Sequence, residues 1–192
     1  MKKEALVFIF DGYADWEPAF LCAQLNLPGT GWSVKTLGLN RAEKTSMGGF
    51  RVIPDRAVED CPADFDLLVL CGGEAWLTGQ NDAVLPVVQR AVGRGVPVGA
   101  ICNAASFMAE HGFLDAIRHT GNTLAFMKRC APHYRGEAHF EERQAVSDGG
   151  IITANGSAAL EFTREVLLLV GAKPTKKIED DYRLHKLGFY GA

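Results

Sequence analysis

The chain has 192 residues, of which 47% are hydrophobic and 22% are charged, and its formal net charge is −3 at pH 7. This length and balance are typical of one folded domain, which we expect to span residues 1–192. No apolar run approaches the roughly eighteen residues of a membrane span and no long basic stripe is present, so neither a membrane nor a nucleic acid is an expected partner.

The five cysteines form an odd set without a Cys-x-x-Cys pair, which argues against a disulfide framework and against a thioredoxin-like motif. The apolar segment near the N-terminus is too short for the core of a signal peptide. We therefore expect reduced thiols and a cytoplasmic location.

The first predicted elements are a strand at residues 5–10 and a helix at residues 16–27. Asp15 stands where an N-cap is expected, Phe20, Leu21 and Leu25 follow helical spacing, and Pro28 and Gly29 close the helix.

Four apolar segments end near Phe10, Leu39, Leu70 and Ile101. Their spacing of about thirty residues matches a strand-crossover-strand unit, which predicts a parallel sheet. The second crossover differs from the others, because residues 47–54 read as a turn and a short strand. The third reads as a helix with apolar residues at Val84, Leu85, Val88, Ala91 and Val92.

The fourth strand, residues 96–101, runs without a connecting loop into a predicted helix at residues 103–111 that Gly112 ends. Such a junction needs a sharp, strained turn, which lifts the corner side chain clear of the sheet. The corner residue is Cys102. Its sulfur would face the positive end of the new helix, so we expect a lowered thiol pKa and a nucleophilic thiolate.

Beyond this helix, Asp148-Gly149-Gly150 predicts a hairpin that joins Ala145-Val146 to residues 151–153. Ser157 is the expected cap of a helix over residues 160–170. The charged segment 173–192 supports no assignment.

Loops that follow parallel strands meet at one edge of the sheet. On this basis Cys102 is expected to lie near Glu17, which could hydrogen-bond the sulfur and tune its ionisation. The backbone N–H groups of Gly73 and Asn103 are the expected donors to an oxyanion. Trp16 and Trp76 either wall the substrate cleft or fill the core.

Four groups of residues carry a family resemblance: the run 99–104, the pair Gly72-Gly73, Asp11-Gly12 with Glu17, and Asp148-Gly149 with Ile152-Thr153. They resemble the ThiJ/PfpI family, a branch of the class I glutamine amidotransferase-like superfamily that includes the Parkinson disease protein 7 group. The resemblance implies an α/β flavodoxin-like three-layer sandwich with a mainly parallel central sheet. It also implies a reactive elbow cysteine, Cys102, hydrogen-bonded to Glu17, and a homodimer or larger assembly.

The chain also departs from that pattern. Many peptidase-like members have His after the nucleophile, where this chain has Asn103, and residues 155–159 lack the histidine of true glutamine amidotransferases. Glutaminase activity is therefore not expected. His119 and His139 remain open as a general base.

We expect a cysteine-dependent hydrolase or a glyoxalase/deglycase-type enzyme that acts through Cys102 on a carbonyl or amide of a small molecule or peptide. No cofactor is expected, and the spacing around Cys130, His133 and His139 matches no standard zinc pattern. Two alternatives stay open. One is a non-enzymatic redox sensor or stress chaperone with an oxidisable Cys102. The other is a binding protein that retains the elbow as a remnant.

Overall fold

A computed structural model describes residues 2–191. The strands are β1 (Lys3–Phe8), β2 (Trp32–Gly38), β3 (Lys44–Thr45), β4 (Arg51–Val52), β5 (Arg56–Ala57), β6 (Leu67–Leu70), β7 (Val98–Ile101), β8 (Ala145–Asp148) and β9 (Ile151–Ala154). The α-helices are α1 (Trp16–Leu25), α2 (Leu85–Gly93), α3 (Asn103–Glu110), α4 (Leu124–Cys130), α5 (Ala159–Val170) and α6 (Thr175–Leu187).

Seven strands form the central sheet in the order β5-β2-β1-β6-β7-β9-β8, and only β8 runs antiparallel to its neighbour. From β1 the chain first builds β2 and β5 on one side of β1, and it then returns to place β6 and β7 on the other side. The strand order therefore reverses between β1 and β6, and such a reversal opens a crevice at the carboxyl ends of the strands. The predicted mainly parallel, flavodoxin-like sheet is confirmed.

Helices cover both faces of this sheet, which explains the continuous apolar strands. All four residues of β6 and all four of β7 are buried. Helix α5 packs on α1 and on the strands β7 to β9. Helices α2 and α3 also pack on β7. Helix α5 lies directly on β7 at Gly99, where an added Cβ would be 2.6 Å from Cζ of the fully buried Phe162.

The second crossover is the predicted departure from the helical pattern. The strands β3 and β4 form a small antiparallel hairpin, and β5 adds to the edge of the main sheet beside β2. Asp15 holds this hairpin, since its carboxylate accepts hydrogen bonds from Ser46 Oγ at 3.0 Å and from the Gly48 N–H at 3.3 Å. Asp15 is the N-cap residue of α1, as predicted, but its side chain makes no capping hydrogen bond.

The prediction for Ser157 is wrong. Helix α5 begins after Ala158, and no side chain caps it. The Ser157 hydroxyl instead donates to Asn155 Oδ1 at 2.7 Å, because the asparagine folds back over its own turn. The hairpin of β8 and β9 that precedes this turn is confirmed.

The segment without a sequence assignment contains α6, which lies along α5. Arg164 of α5 binds Glu179 through two nitrogens at 2.9 and 2.6 Å, and Tyr182 donates to Glu161 at 2.9 Å. Only Ile178 of α6 is buried. A helix with so little apolar surface has no clear hydrophobic period, which is why the sequence pattern did not reveal it.

Within residues 2–191, no helix is both long enough and apolar enough to cross a membrane.

Candidate active site

Cys102 occupies the predicted corner between β7 and α3. It has φ 62° and ψ −127°, and among residues 2–191 no other residue except glycine has a positive φ. The corner is held in place because the Cys102 N–H donates to the Ala154 carbonyl of β9 at 2.9 Å. Conformations of this kind cost about 1–3 kcal/mol and persist where the surrounding fold imposes them. The turn places Cys102, a partly exposed residue, at the carboxyl edge of the sheet.

Glu17 lies in the first turn of α1, and its carboxyl group is buried beside Cys102, with only 1% of the residue exposed. Its Oε2 accepts the Gly72 N–H at 2.6 Å. Its Oε1 is buried and has no hydrogen-bond partner of regular geometry in the described chain. Glycine is required at position 72, since a Cβ there would lie 2.5 Å from Cys102 Cβ and 2.6 Å from Glu17 Oε2.

The ionisation of the two side chains is coupled. Burial raises the pKa of the Glu17 carboxyl from 4.5 to about 7, against the opposing effect of the Gly72 N–H and of the neighbouring Cys102 thiol. Burial also raises the pKa of the Cys102 thiol, and an ionised Glu17 raises it further. The expected lowering of the thiol pKa is thus reversed, because desolvation outweighs the N–H groups that face the sulfur. When Glu17 carries the proton, its charge no longer raises the pKa of Cys102.

The two expected oxyanion donors belong to the loop after β6, which contains Gly73, and to the start of α3 at Asn103. The Asn103 N–H faces the sulfur and lowers the pKa of Cys102. The Asn103 side chain donates to the Gly73 carbonyl at 3.2 Å and so ties the loop after β6 to the elbow. Gly73 has φ 150°, and a Cβ there would lie 2.8 Å from the Gly12 carbonyl oxygen, so only glycine fits.

The structure adds Asn122, which the sequence reasoning overlooked. Its Nδ2 lies 3.5 Å from Cys102 Sγ and 3.1 Å from Asn103 Oδ1, while its Oδ1 accepts the Gly156 N–H at 2.9 Å. Gly156 lies above the sulfur, since a Cβ there would be 2.9 Å from Cys102 Sγ. The place of Gly156 near the sulfur could have been predicted from strand order, because the loop after β9 lies at the same sheet edge as the elbow. No motif in the neighbouring sequence indicates that Asn122 contacts the sulfur.

Neither candidate histidine contacts the sulfur in the described chain. His119 is fully buried, and its ring nitrogens bond the Ile117 carbonyl and the Tyr134 hydroxyl. His139 is exposed in a short 3₁₀ helix, Glu137–His139. The groups that face Cys102 Sγ are therefore a carboxyl group, an amide and a backbone N–H, and not an imidazole.

An open cleft of about 290 Å³ lies beside Asn122. Its walls are residues 120–124 and residues 140, 142–144 and 155. Trp76, by contrast, belongs to the core: it packs on Phe8, Phe10 and Phe107 and donates its Nε1–H to the Cys71 carbonyl. Trp16 is half-exposed. Within residues 2–191, no three His, Cys, Asp or Glu side chains converge as metal ligands would.

A model of the DJ-1/PfpI family matches residues 3–169, which include every residue of this site. The chain belongs to this family. The protein of Bacillus subtilis named "Uncharacterized protease YdeA" is 37% identical over 188 residues, which cover 98% of this chain and 93% of that protein.

Two solved structures of the family extend this similarity. The thiJ/pfpI family protein from Bacillus anthracis is 34% identical with a TM-score of 0.90, and the match covers 97% of this chain and 91% of that one. The DJ-1 superfamily protein Atu0886 from Agrobacterium tumefaciens is 35% identical with a TM-score of 0.86, over 96% of this chain and 98% of that one. The resemblance seen in the sequence and the fold that it implied are confirmed.

Proposed function

We propose that the chain is a cysteine-dependent enzyme of the hydrolase or glyoxalase/deglycase type, in which Cys102 adds to a carbonyl carbon. The observation that carries the proposal is the surroundings of one sulfur atom. A buried carboxyl group, Glu17, the Asn122 amide and the Asn103 N–H all lie next to it. The Glu17 carboxyl exchanges a proton with the sulfur, and the two N–H donors stabilise the negative charge that develops during the reaction.

The proton count of the first step follows from the Glu17 and Cys102 pair. With one proton shared, the pair has the same charge whether the sulfur or the carboxyl group holds that proton. The sulfur forms a bond to the carbonyl carbon and the π electrons move to the oxygen. The proton then passes from Glu17 to that oxygen, which leaves a neutral thiohemiacetal and an ionised Glu17 that can act as a base in the next step.

An aldehyde suits this set of groups better than an amide. Amide cleavage has to protonate a departing amine, a task that a mobile histidine performs in many cysteine hydrolases. The described residues place no histidine at Cys102 Sγ. With a 2-oxoaldehyde, Glu17 would move a proton from the former aldehyde carbon to the neighbouring carbon, while the thiohemiacetal hydroxyl proton would pass to the oxygen of that neighbouring carbon. Water would then release a 2-hydroxy acid from the resulting thioester and restore the Cys102 thiol. This conversion adds one water and needs no external oxidant.

The test is the conversion of methylglyoxal to lactate, followed in parallel with the cleavage of casein and of a fluorogenic peptide, since a relative bears the name of a protease. We expect lactate formation that Cys102→Ser abolishes and Glu17→Gln lowers at least about a hundredfold. Cys130→Ser is the matched control, because this cysteine lies at the end of α4 and not in the site. Undiminished activity in Cys102→Ser, or no activity on any of the substrates, would contradict the proposal.

The same surroundings suit a second candidate function, a peroxide sensor. The partly exposed Cys102 would be oxidised by two molecules of peroxide, each reduced to water, and would end as a sulfinic acid. A protonated Glu17 and the Asn122 amide would then donate hydrogen bonds to its oxygens. A mass gain of two oxygen atoms at Cys102 at low peroxide, in a chain without turnover, would favour sensing over catalysis.

A further inference from the structure

His119 is a fully buried histidine whose two ring nitrogens have fixed roles. Nδ1 lies 2.7 Å from the Ile117 carbonyl oxygen, which only accepts hydrogen bonds, so Nδ1 carries the proton. Nε2 is then an acceptor, and the buried Tyr134 hydroxyl donates to it at 2.6 Å. One tautomer of His119 therefore joins two separate segments of the chain.

The backbone of His119 also joins the two walls of the cleft. Its N–H donates to the His139 carbonyl at 3.2 Å, and its carbonyl accepts the Glu141 N–H at 2.8 Å. The next residue continues the attachment, because Thr120 Oγ1 donates to the Arg143 carbonyl at 2.8 Å. These bonds hold the segment that contains residues 120–124 against the segment that contains residues 140–144, and the cleft lies between them.

Asn122 lies three residues beyond His119 on the first of these walls. Its Nδ2 donates to Cys102 Sγ at 3.5 Å, an ordinary length for a hydrogen bond to sulfur, so the position of this wall places the amide on the sulfur. We propose that His119, fixed by Tyr134, is a positioning residue that holds the Asn122 amide against the Cys102 sulfur. The inference deepens the proposed function of this site, but it concerns the reactivity of the thiol and not turnover.

The charge of His119 agrees with this role. Burial lowers the pKa of the imidazole, although the Ile117 carbonyl, Asp115 and Glu141 oppose the shift and His139 adds to it. The ring is therefore neutral near pH 7, and Nε2 remains available as the acceptor for Tyr134.

The experiment is a double-mutant cycle that measures the pH dependence of Cys102 alkylation by iodoacetamide. Asn122→Ala removes the amide, and we expect it to raise the pH midpoint by about one unit, which is about tenfold in rate below the midpoint. Tyr134→Phe keeps the ring and removes the hydroxyl that fixes His119. We expect it to raise the midpoint in the wild-type chain and to have no effect in the Asn122→Ala background.

The matched control is Tyr182→Phe, which removes a tyrosine hydroxyl bonded to Glu161 at a helix pair outside the site. It should leave the midpoint unchanged in both backgrounds. A general loss of packing would lower the melting temperature without this dependence on Asn122, so thermal unfolding is measured for every variant.

Two results would overturn the inference: no change of the midpoint with Tyr134→Phe, or a change that persists when Asn122 is absent. If Tyr134→Phe does not fold, His119→Asn takes its place in both backgrounds, since it keeps a donor for the Ile117 carbonyl and removes the Nε2 acceptor. Absence of turnover on every substrate would contradict the proposed function and leave this cycle intact, because alkylation reports on the thiol itself.

Discussion

Replacement of Glu17 by glutamine should stabilise the protein at neutral and alkaline pH. The folded chain raises the pKa of this carboxyl from 4.5 to about 7, so the native state binds more protons than the unfolded state between these values. The free energy of unfolding of the wild type therefore falls as pH rises through this window. This rise in the pKa of Glu17 corresponds to about 3 kcal/mol of unfolding free energy, lost by the wild type between the two pH values. Glutamine does not ionise, can accept the Gly72 N–H and can donate to the sulfur.

The assay is urea denaturation of the wild type and of Glu17→Gln at a series of pH values from about 4 to about 9. We expect the difference in unfolding free energy to be small below pH 4.5, to grow in favour of the variant up to about pH 7, and to stay constant above it. Both proteins are also measured in the Cys102→Ser background. We expect the same pH dependence there, because burial and not the thiol is the main cause of the raised pKa of Glu17. A difference that does not change with pH would refute the reasoning.

Three further predictions test other parts of the molecule. Gly156→Ala places a methyl group 2.9 Å from the elbow sulfur and should slow its alkylation at least about tenfold, whereas Gly93→Ala, with nothing within 4 Å of its Cβ, should leave the rate unchanged. Phe162→Ala should lower the free energy of unfolding in urea by about 3–5 kcal/mol, and a loss below about 1.5 kcal/mol would contradict its place in the core against Gly99. The homodimer implied by the family resemblance should sediment at about twice the chain mass of 20.8 kDa, and a single species at the chain mass would argue against it.

The elbow shows which features a sequence reveals well. A buried strand that ends at Ile101 and a helix that begins at Asn103 leave no room for a loop, so the strained corner at Cys102 follows from adjacent residues alone. The meeting of Glu17 with Cys102 was predictable for a different reason. Loops that follow parallel strands converge at one sheet edge, whatever their separation along the chain.

Asp15 is the N-cap residue of α1 as predicted but makes no side-chain capping bond, and Ser157 is not a cap. In both cases the side chain binds a partner that the pattern of neighbouring residues does not reveal. The Asp15 carboxylate bonds a hairpin thirty residues away, and the Ser157 hydroxyl bonds an asparagine side chain in the preceding turn. Helix α6 was missed because it has no buried stripe of its own, and its contacts with α5 include the ion pair of Glu179 with Arg164, which no hydrophobic period reveals.

By itself, the sequence determined the α/β architecture, the elbow and the pairing of a cysteine with a carboxyl group, since each depends on hydrophobic periodicity and strand order. Only the tertiary structure decided how these groups ionise. Burial of Glu17 and Cys102 raises the pKa of both, and this desolvation depends on atoms brought together from the whole fold. The same holds for Asn122, which lies at the sulfur through hydrogen bonds with Asn103 and Gly156, two residues from other segments of the chain.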